Sequence, residues 1–302
     1  MTSLRSGLAS LIVVGALAGL SACSATSSAD SGITTTGATT GTTTTAAPIT
    51  VAPTIPPTTV APTTIPPTTA APTTSTLAPL VVPSNVEVVG PSAAPLRAIG
   101  KASGADAAAV QTRLTQLGFW AGLSDGKYGF ATEQAVMAFQ KYAGLPATGS
   151  VDQATADWLT LWTEKSRGQA TNGTLVEVDK AKQLLFLVVD GKTLWTFNTS
   201  TGSGIAYEAV NKKDPTKIEK GDAVTPNGLW EVTRERPDGW WEGDLGKIYR
   251  PKYFKGGIAV HGMTSVPNYP ASHGCLRIST QAMDFVWETG LVPVGTPVWV
   301  HE

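Results

Sequence analysis

The chain has no aromatic residue in its first 118 positions, and it is poor in the side chains that most often perform chemistry near neutral pH. Among its 302 residues are only two cysteines and three histidines, and all nine tryptophans lie after Gly118. A segment without aromatic side chains buries too little apolar surface to offset the chain entropy lost on folding. We therefore expect the folded part in the remaining two thirds, which has room for about two domains.

An excess of positive charge is also absent. Lys and Arg total 22 against 23 Asp and Glu, for a net charge of -1 and an isoelectric point near 6.3. Binding to nucleic acid needs concentrated positive charge to displace counterions from the phosphates. Nucleic acid is therefore not expected as a partner.

The N-terminus has the pattern of an export signal, and we assign residues 1–22 to a signal peptide. Its apolar run, residues 8–20, is too short to span a bilayer. The tetrapeptide that ends at Cys23 resembles the bacterial lipobox, which implies that Cys23 carries the lipid attachment. The expected location is extracytoplasmic, on the outer surface of the cell membrane and facing the cell wall. The alternative is an ordinary secretory signal with a chance cysteine.

Residues 23–95 are predicted to form a disordered, lipid-anchored linker. Thr, Pro and Ala dominate this stretch, and the nine residues 52–60 are echoed imperfectly by residues 61–70. Frequent proline favours the polyproline II conformation, in which such a length reaches on the order of 200 Å. The linker would let a membrane-anchored domain act far from the bilayer, at a distance that suits a cell wall.

Residues 104–161 are predicted to form a small all-α module of three helices. Apolar residues at helical spacing end at Gly118, Thr132 is a suitable N-cap for the second helix, and a third begins near Asp152. The module contains no cluster of nucleophilic or metal-binding side chains. We expect that its deletion spares the chemistry of the rest of the chain.

Residues 174–301 are predicted to form a mainly β domain with one clear helix, capped by Ser279. Strand-like runs flank Asp190-Gly191, which is a strong signal for a two-residue hairpin turn. Further strands are expected at residues 228–233, 257–260 and 297–300.

The chemistry of the second domain is expected around Cys275. If Cys23 is the anchor, Cys275 has no partner for an intramolecular disulfide. A free thiol ionises near pH 8.5, and lowering its pKa by two units takes about 2.7 kcal/mol, which the imidazolium of His261 or His273 would supply. Gly274 permits a tight turn whose N–H groups can face an oxyanion. The alternatives are a zinc site, an inert buried cysteine, and Ser272 as a weak nucleophile.

Two known families resemble these segments. Residues 104–161 resemble a peptidoglycan-binding module, through motifs that include Asp125-Gly126 and Phe139-Gln140. Residues 174–301 resemble the L,D-transpeptidase catalytic domain, through the runs that begin at His261 and Ser272 together with residues 200–202 and 225–228. The two resemblances imply a multidomain wall protein that binds peptidoglycan stem peptides, with no cofactor and no metal.

The L,D-transpeptidase resemblance implies roles for individual residues. Cys275 would be the nucleophile, and His261 the general base, oriented by the Gly262 carbonyl. His273 and the N–H groups of Gly274 and Cys275 would stabilise the oxyanion. Ser272 is assigned to the same orienting group.

The resemblance also implies substrate contacts and a reaction. Arg277 would hold a substrate carboxylate. Tyr253 would contact substrate within an aromatic excursion, residues 233–256, which also carries Trp240 and Trp241 and forms either a lid or a hairpin packed on the core. The implied reaction releases D-Ala from a tetrapeptide stem, forms a thioester and builds a 3→3 cross-link. The alternatives are an L,D-carboxypeptidase with the same cysteine and a non-catalytic wall-binding lipoprotein.

Overall fold

The computed structural model of the chain describes residues 86–302. The predicted signal peptide, the lipid attachment at Cys23 and most of the predicted linker lie outside these residues. The described part opens with three helices, continues as a mainly β region, and carries a fourth helix near its end. Within residues 86–302, no helix is both long and apolar enough to cross a membrane.

The three N-terminal helices follow the local signals of the sequence closely. Their bounds are α1 Ala105–Gln116, α2 Phe130–Ala143 and α3 Gln153–Leu161. The Asp152 side chain caps α3 by accepting a hydrogen bond from the N–H of Thr155, and Gly144 ends α2 in the left-handed conformation. The prediction for Thr132 is wrong, because Gly129 is the N-cap of α2 and Thr132 lies within the first turn of the helix. Its hydroxyl instead accepts a hydrogen bond from buried Gln111 at 2.9 Å.

The mainly β character predicted for the C-terminal region is confirmed. Its first sheet has the order β3-β2-β1-β12-β6, in which only β1 and β12 run parallel. The strands are β1 Leu175–Asp179, β2 Leu184–Val189, β3 Lys192–Asn198, β6 Gly228–Glu231 and β12 Pro297–His301. Asp190 and Gly191 both have positive φ between β2 and β3, as the hairpin signal predicts.

The second sheet has the order β11-β10-β9-β7, with β8 also paired to β9, and it carries the candidate site. Strands β10 and β11 run parallel, and the remaining pairs are antiparallel. A separate hairpin is formed by β4 and β5. The bounds are β4 Tyr207–Val210, β5 Ile218–Gly221, β7 Arg234–Glu235, β8 Trp240–Gly243, β9 Gly246–Lys255, β10 Ile258–Met263 and β11 Leu276–Ser279.

One core joins the two sheets. Leu185 and Leu187 of the first sheet pack in the same cluster as Val260 and Leu276 of the second. Helix α4, Thr280–Thr289, closes this core with Met283. Ser279 caps α4 by accepting a hydrogen bond from the N–H of Ala282, as the sequence predicts.

The other face of β2 packs against the helical module. Leu184, Phe186 and Val188 share a second core with residues of α1 and α2, among them Leu114 and Phe139. The core of the module is therefore continuous with this face of the first sheet, and β2 is buried on both of its faces. In contrast to the expectation from the sequence, we predict that deletion of the module affects the rest of the chain.

Residues 86–95, which the sequence assigns to the linker, already belong to the folded part. Val88 bridges to Glu164, the N–H of Val89 donates to the Thr163 carbonyl at 2.6 Å, and the N–H of Ser92 donates to the Thr160 carbonyl at 2.8 Å. The predicted end of the linker at residue 95 is therefore too late. This short segment of mainly Val, Ala and Pro gave no periodic signal, because its order comes from backbone pairing with a distant part of the chain.

Candidate functional site

The parallel pair β10 and β11 brings the candidate residues together. Val260 pairs with Leu276, and His261 pairs with Arg277. Because Val260 and Leu276 point into the core, His261 and Arg277 point to the opposite face. Cys275 directly precedes β11 and continues this alternation, so its side chain belongs to the same face.

His261 is buried and held in one orientation. Only 2% of the residue is exposed, and its Nδ1 lies 3.1 Å from the Gly262 carbonyl oxygen. The carbonyl can only accept, so Nδ1 carries the hydrogen and Nε2 is left with a free lone pair. Burial lowers the pKa of His261 to about 4, and the charge of Arg277 acts in the same direction. His261 is therefore a neutral imidazole at neutral pH.

Gly262 has a steric reason to lack a side chain. A Cβ atom there would lie 2.9 Å from Cδ1 of Tyr249 and 3.1 Å from Cβ of Met283. Both contacts are closer than ordinary van der Waals packing allows. The absence of a side chain lets α4 pack closely on β10 behind His261.

The surroundings of Cys275 favour the protonated thiol. Its Sγ lies 3.8 Å from the Gly257 carbonyl oxygen, an acceptor that a thiol can use and a thiolate cannot. Burial raises the pKa of Cys275, while the Ala259 backbone N–H and the charge of Arg277 oppose that rise. The expected thiolate stabilised by an imidazolium is therefore not the resting state, because His261 is neutral and the thiol has lost hydration.

The turn before Cys275 is fastened by Ser272. The Ser272 hydroxyl donates to the Cys275 carbonyl at 2.6 Å and accepts from the Gly274 N–H at 3.0 Å. The Gly274 N–H, which the sequence assigns to an oxyanion, is thus already engaged. Gly274 itself has φ +125°, which favours glycine, and its carbonyl accepts from the Thr225 hydroxyl at 2.7 Å. Ser272 is a structural fastener here, and nothing in its contacts activates it as a nucleophile.

His273 lies outside the strand on the solvent side of the turn. Its ring packs edge-on against Tyr207 of β4, with a centroid separation of 4.5 Å. Burial and the charge of Arg277 lower the pKa of His273. The ring is accessible, whereas that of His261 is enclosed, so the two histidines occupy distinct environments.

Arg277 supplies positive charge that acts on His261, His273 and Cys275. It is half-buried, and among residues 86–302 no carboxylate forms an ion pair with its guanidinium. Burial lowers the pKa of Arg277, and the neighbouring Cys275 opposes this change. An unpaired, partly desolvated guanidinium is suited to binding a carboxylate.

Tyr253 lies on β9, next to β10, the strand that carries His261. It pairs with Ala259, and the Arg234 guanidinium stacks 3.9 Å from its ring centroid. Burial is the main cause that raises the pKa of Tyr253, and negative charge on Cys275 contributes to the same shift. Only 6% of Tyr253 is exposed, so it forms a wall of the site with little free surface of its own.

The aromatic excursion forms the β8–β9 hairpin. Trp240 packs against Tyr249 at 5.3 Å, and the Trp241 ring lies near Arg236 at 4.6 Å and Lys213 at 5.8 Å. Both tryptophans keep substantial exposed surface. Lys213 lies in the turn between β4 and β5, so the tip of the β4–β5 hairpin meets the β8–β9 hairpin.

Sequence reasoning gave no role to several residues that hold this site. Tyr207 contacts His273, and Thr225 joins Gly274 to Gly202, whose N–H donates to its hydroxyl at 2.8 Å. A Cβ atom at Gly202 would lie 2.1 Å from the Ala223 carbonyl oxygen. Thr225 and Gly202 fall in the short motifs already noted, which was a usable signal. No signal in the sequence indicated Tyr207, because its contact with His273 depends on the β4–β5 hairpin.

A zinc site is one of the alternatives that the sequence leaves open around Cys275. Across residues 86–302, no group of three or more His, Cys, Asp and Glu side chains is arranged to hold a metal ion.

Comparison with known proteins is consistent with this geometry. Residues 173–300 match the family model of the L,D-transpeptidase catalytic domain, and residues 103–159 match that of a putative peptidoglycan binding domain. A crystal structure of an L,D-transpeptidase from Xylanimonas cellulosilytica is 41% identical, with a TM-score of 0.61. The similarity covers 69% of this chain and 98% of that one.

Two curated proteins match over shorter stretches. The N-acetylmuramoyl-L-alanine amidase CwlM of Mycobacterium tuberculosis is 48% identical over 46 residues, or 15% of this chain and 11% of that protein. A spore cortex-lytic enzyme of Bacillus cereus is 37% identical over 73 residues, or 24% of this chain and 28% of that protein. The chain thus spans less than a third of the length of either relative.

Proposed function

The chain belongs to the L,D-transpeptidase family, and from this membership we propose that it joins peptidoglycan stems through a thioester on Cys275. The donor is a tetrapeptide stem, the leaving group is D-Ala, and the product is a 3→3 cross-link. One observation supports the mechanism most strongly. His261 is a neutral imidazole with its Nδ1 hydrogen directed at the Gly262 carbonyl, and it shares a sheet face with the Cys275 thiol.

In the first half-reaction, Nε2 of His261 takes the proton of the Cys275 thiol as Sγ attacks the donor carbonyl. The carbonyl is that of the L-centre of diaminopimelate, and its oxygen becomes an oxyanion. Collapse of the tetrahedral intermediate breaks the bond to D-Ala, whose amine takes the proton from His261. A thioester remains on Cys275.

In the second half-reaction, the amine of another stem attacks the thioester carbonyl. His261 accepts a proton from that amine and returns it to the departing sulfur. The new amide is the cross-link, and the thiol and the neutral imidazole are both restored. Each proton that leaves a nucleophile is thus delivered to a leaving group, so the enzyme ends in its starting state.

The oxyanion needs donors other than Gly274, whose N–H is engaged by Ser272. We assign this role to the Cys275 N–H and to His273, which lies on the accessible side of the turn. Arg277 is assigned to a carboxylate of the donor stem, since its guanidinium has no carboxylate partner among residues 86–302.

In this proposal, the helical module and the N-terminal segment determine where the chain acts. The module is assigned to peptidoglycan binding, in keeping with the family that residues 103–159 match. Lipidation of Cys23 would anchor the chain to the outer surface of the membrane, with residues 24–85 as the tether. Mass analysis of the mature protein would detect the two acyl chains, and an unmodified N-terminus would contradict the anchor.

Product analysis separates the proposed reaction from its alternatives. The full chain is incubated with a stem tetrapeptide and an acceptor stem, and the products are identified by mass spectrometry. A cross-linked dimer with free D-Ala is expected. Tripeptide without dimer would indicate a carboxypeptidase, and unchanged substrate would indicate a non-catalytic wall-binding protein.

The pH dependence of acylation should reflect the low pKa of His261. The group must be neutral to act as a base, and its folded pKa is about 4, below the ordinary 6.5. Protonation of His261 should therefore not reduce kcat/KM between pH 7.5 and 5.5, and the acid limb should appear only near pH 4. A kcat/KM that falls with an apparent pKa of 6.5 or higher would contradict the neutral-base assignment.

Arg277 should influence the reactivity of the thiol. Its positive charge lowers the pKa of Cys275, so an Arg277→Met variant should require a higher pH for half-maximal alkylation by iodoacetamide. The KM for the anionic donor stem should rise about tenfold, because one charge-assisted hydrogen bond is lost. Arg97→Met is the matched control, since Arg97 is an exposed surface residue. Identical alkylation profiles for wild type and Arg277→Met would contradict this role.

A further inference from the structure

A set of polar contacts connects the helical module to the loop that carries the candidate nucleophile. This active-site loop is residues 264–275, between β10 and β11. It is held by residues 198–203, which begin at the last residue of β3 and are named the bracket segment. Gln134 of the module and Asn198, Thr199 and Ser200 are buried, so their contacts need defined geometry to satisfy the polar groups.

The bracket segment holds the active-site loop and the strand that follows it. The Ser200 hydroxyl donates to the Tyr269 carbonyl at 2.8 Å and accepts from the Ala271 N–H at 3.1 Å. Ser200 also exchanges backbone hydrogen bonds with Arg277, at 3.1 and 3.2 Å. The loop is therefore fixed on both sides of Cys275 by one short segment.

The module in turn holds the bracket segment. In α2, the Gln134 side-chain oxygen accepts from the Asn198 amide at 2.6 Å, and the same amide lies 3.3 Å from the Val266 carbonyl oxygen. Asn198 therefore contacts the module and the active-site loop at once. A direct contact adds to this, because the Asn268 amide donates to the Ala147 carbonyl at 2.7 Å.

Lys141 of α2 makes the most demanding of these contacts. Its Nζ donates to the carbonyls of Gln183 and Thr199, at 3.1 and 3.2 Å. Thr199 lies in the bracket segment, and its hydroxyl donates to the Arg277 carbonyl at 2.9 Å. Burial lowers the pKa of Lys141 to about 7, and no carboxylate pairs with it among residues 86–302.

Placing the Lys141 amine beside two carbonyls, with no carboxylate partner in the described part of the chain, is costly compared with an apolar side chain of the same length. Methionine would fill much of the same volume without that cost. What the lysine adds is a fixed position for the two carbonyls relative to α2. Its contribution is therefore to geometry, and the geometry that it fixes lies one contact away from Arg277.

We propose that α2 of the helical module positions the active-site loop, with Lys141 and Gln134 as positioning residues that act through the bracket segment. The module then serves the reaction itself in addition to any wall attachment. The effect on acylation rests on the proposed function, whereas the effect on the order of the loop does not.

The test compares Lys141→Met with Lys141→Arg and with Lys101→Met in the full chain. Lys101 is a suitable control because it forms an exposed ion pair with Glu133 on the same module. Hydrogen exchange of backbone amides in residues 264–277 is measured alongside those of α4. The rate of thioester formation with a stem tetrapeptide is measured on the same samples.

Lys141→Met is expected to speed exchange in residues 264–277 but not in α4, and to slow thioester formation on the order of tenfold, because small misplacements of reacting groups are costly. Lys141→Arg should restore part of both, and Lys101→Met should change neither. Gln134→Leu removes the hydrogen bond between Gln134 and Asn198, and it should have the same effects as Lys141→Met.

Unchanged exchange in residues 264–277 for both Lys141→Met and Gln134→Leu would overturn the positioning role, whether or not the wild type reacts. Equal acceleration in α4 would also overturn it, because the lysine would then stabilise the fold as a whole. A wild type that forms no thioester would instead contradict the proposed function, and the exchange data would still decide the positioning role.

Discussion

Replacing Cys275 with alanine is expected to remove all cross-linking activity while leaving the fold intact. The thiol is the only group in the site that can form the proposed acyl-enzyme, because Ser272 is engaged with the Cys275 carbonyl and the Gly274 N–H. Cys275 is half-buried, and its sulfur contacts the Gly257 carbonyl oxygen at 3.8 Å and the Ala259 backbone N–H. Loss of these weak contacts should cost little stability.

The measurement for Cys275→Ala is the yield of dimer from stem tetrapeptides, with circular dichroism and thermal unfolding as controls. Cys275→Ser is the closest matched variant, since it retains a small polar side chain but offers a much weaker nucleophile at neutral pH. Both variants should unfold within a few degrees of the wild type, as expected for small surface-accessible changes. Dimer formation by Cys275→Ala would show that another residue is the nucleophile.

Deleting the helical module is expected to unfold the catalytic region, which reverses the expectation from the sequence. Removal of residues 86–167 would expose Leu184, Phe186 and Val188, which are now buried against the helices. Exposing each such side chain costs about 1.5 to 3 kcal/mol. Three of them approach the ~5 to 15 kcal/mol that stabilises a typical domain.

The same deletion would uncover a sheet edge. The loop after α1 pairs with the outer edge of β3, where Thr196 donates to the Gly118 carbonyl at 2.8 Å and accepts from the Trp120 N–H at 3.2 Å. An uncovered edge strand pairs readily with other chains. The truncated chain should therefore be aggregated as well as unfolded.

Soluble yield and thermal unfolding of the fragment 168–302 test this prediction. As a matched point variant, Phe119→Ala in the full chain removes module packing without uncovering the sheet edge, because the Gly118 and Trp120 backbone contacts remain. It should lower the midpoint of a single transition shared by the helices and sheets. A soluble fragment 168–302 with cooperative unfolding and wild-type thioester formation would show that the module is dispensable.

Local signals in the sequence predicted much of the secondary structure, because they depend on neighbouring residues. The start of α3 near Asp152, the Ser279 cap of α4 and the Asp190-Gly191 turn all lie where expected. Thr132 was misassigned, because a buried partner, Gln111, uses the hydroxyl that would otherwise cap a helix. The short strands β4, β5 and β7 gave no usable pattern, since they are exposed and held by pairing with distant residues.

The shared core had a signal that local reasoning did not use. Residues 184–189 are apolar at every position, whereas a strand with one wet face alternates apolar and polar residues. This run predicts a strand covered on both faces. Which element covers the second face depends on tertiary contacts, so the sequence could not identify the helical module as that element.

For the candidate site, the motifs predicted which residues lie close together. They did not predict the protonation states of those residues. His261 and Cys275 share a sheet face, as their strands require. Burial lowers the pKa of the imidazole and raises that of the thiol, which disfavours the expected ion pair. Burial of a particular side chain is a property of the folded chain, which the spacing of the motif does not contain.

The central claim is that Cys275 becomes acylated by a stem peptide with loss of D-Ala. Intact-mass analysis of the full chain, mixed briefly with a stem tetrapeptide and quenched in acid, tests it most directly. We predict an added mass equal to the tripeptide acyl group, located on Cys275 by peptide mapping and released by hydroxylamine. An unmodified protein under conditions where the tetrapeptide is consumed, or an acyl group on any other residue, would contradict the account.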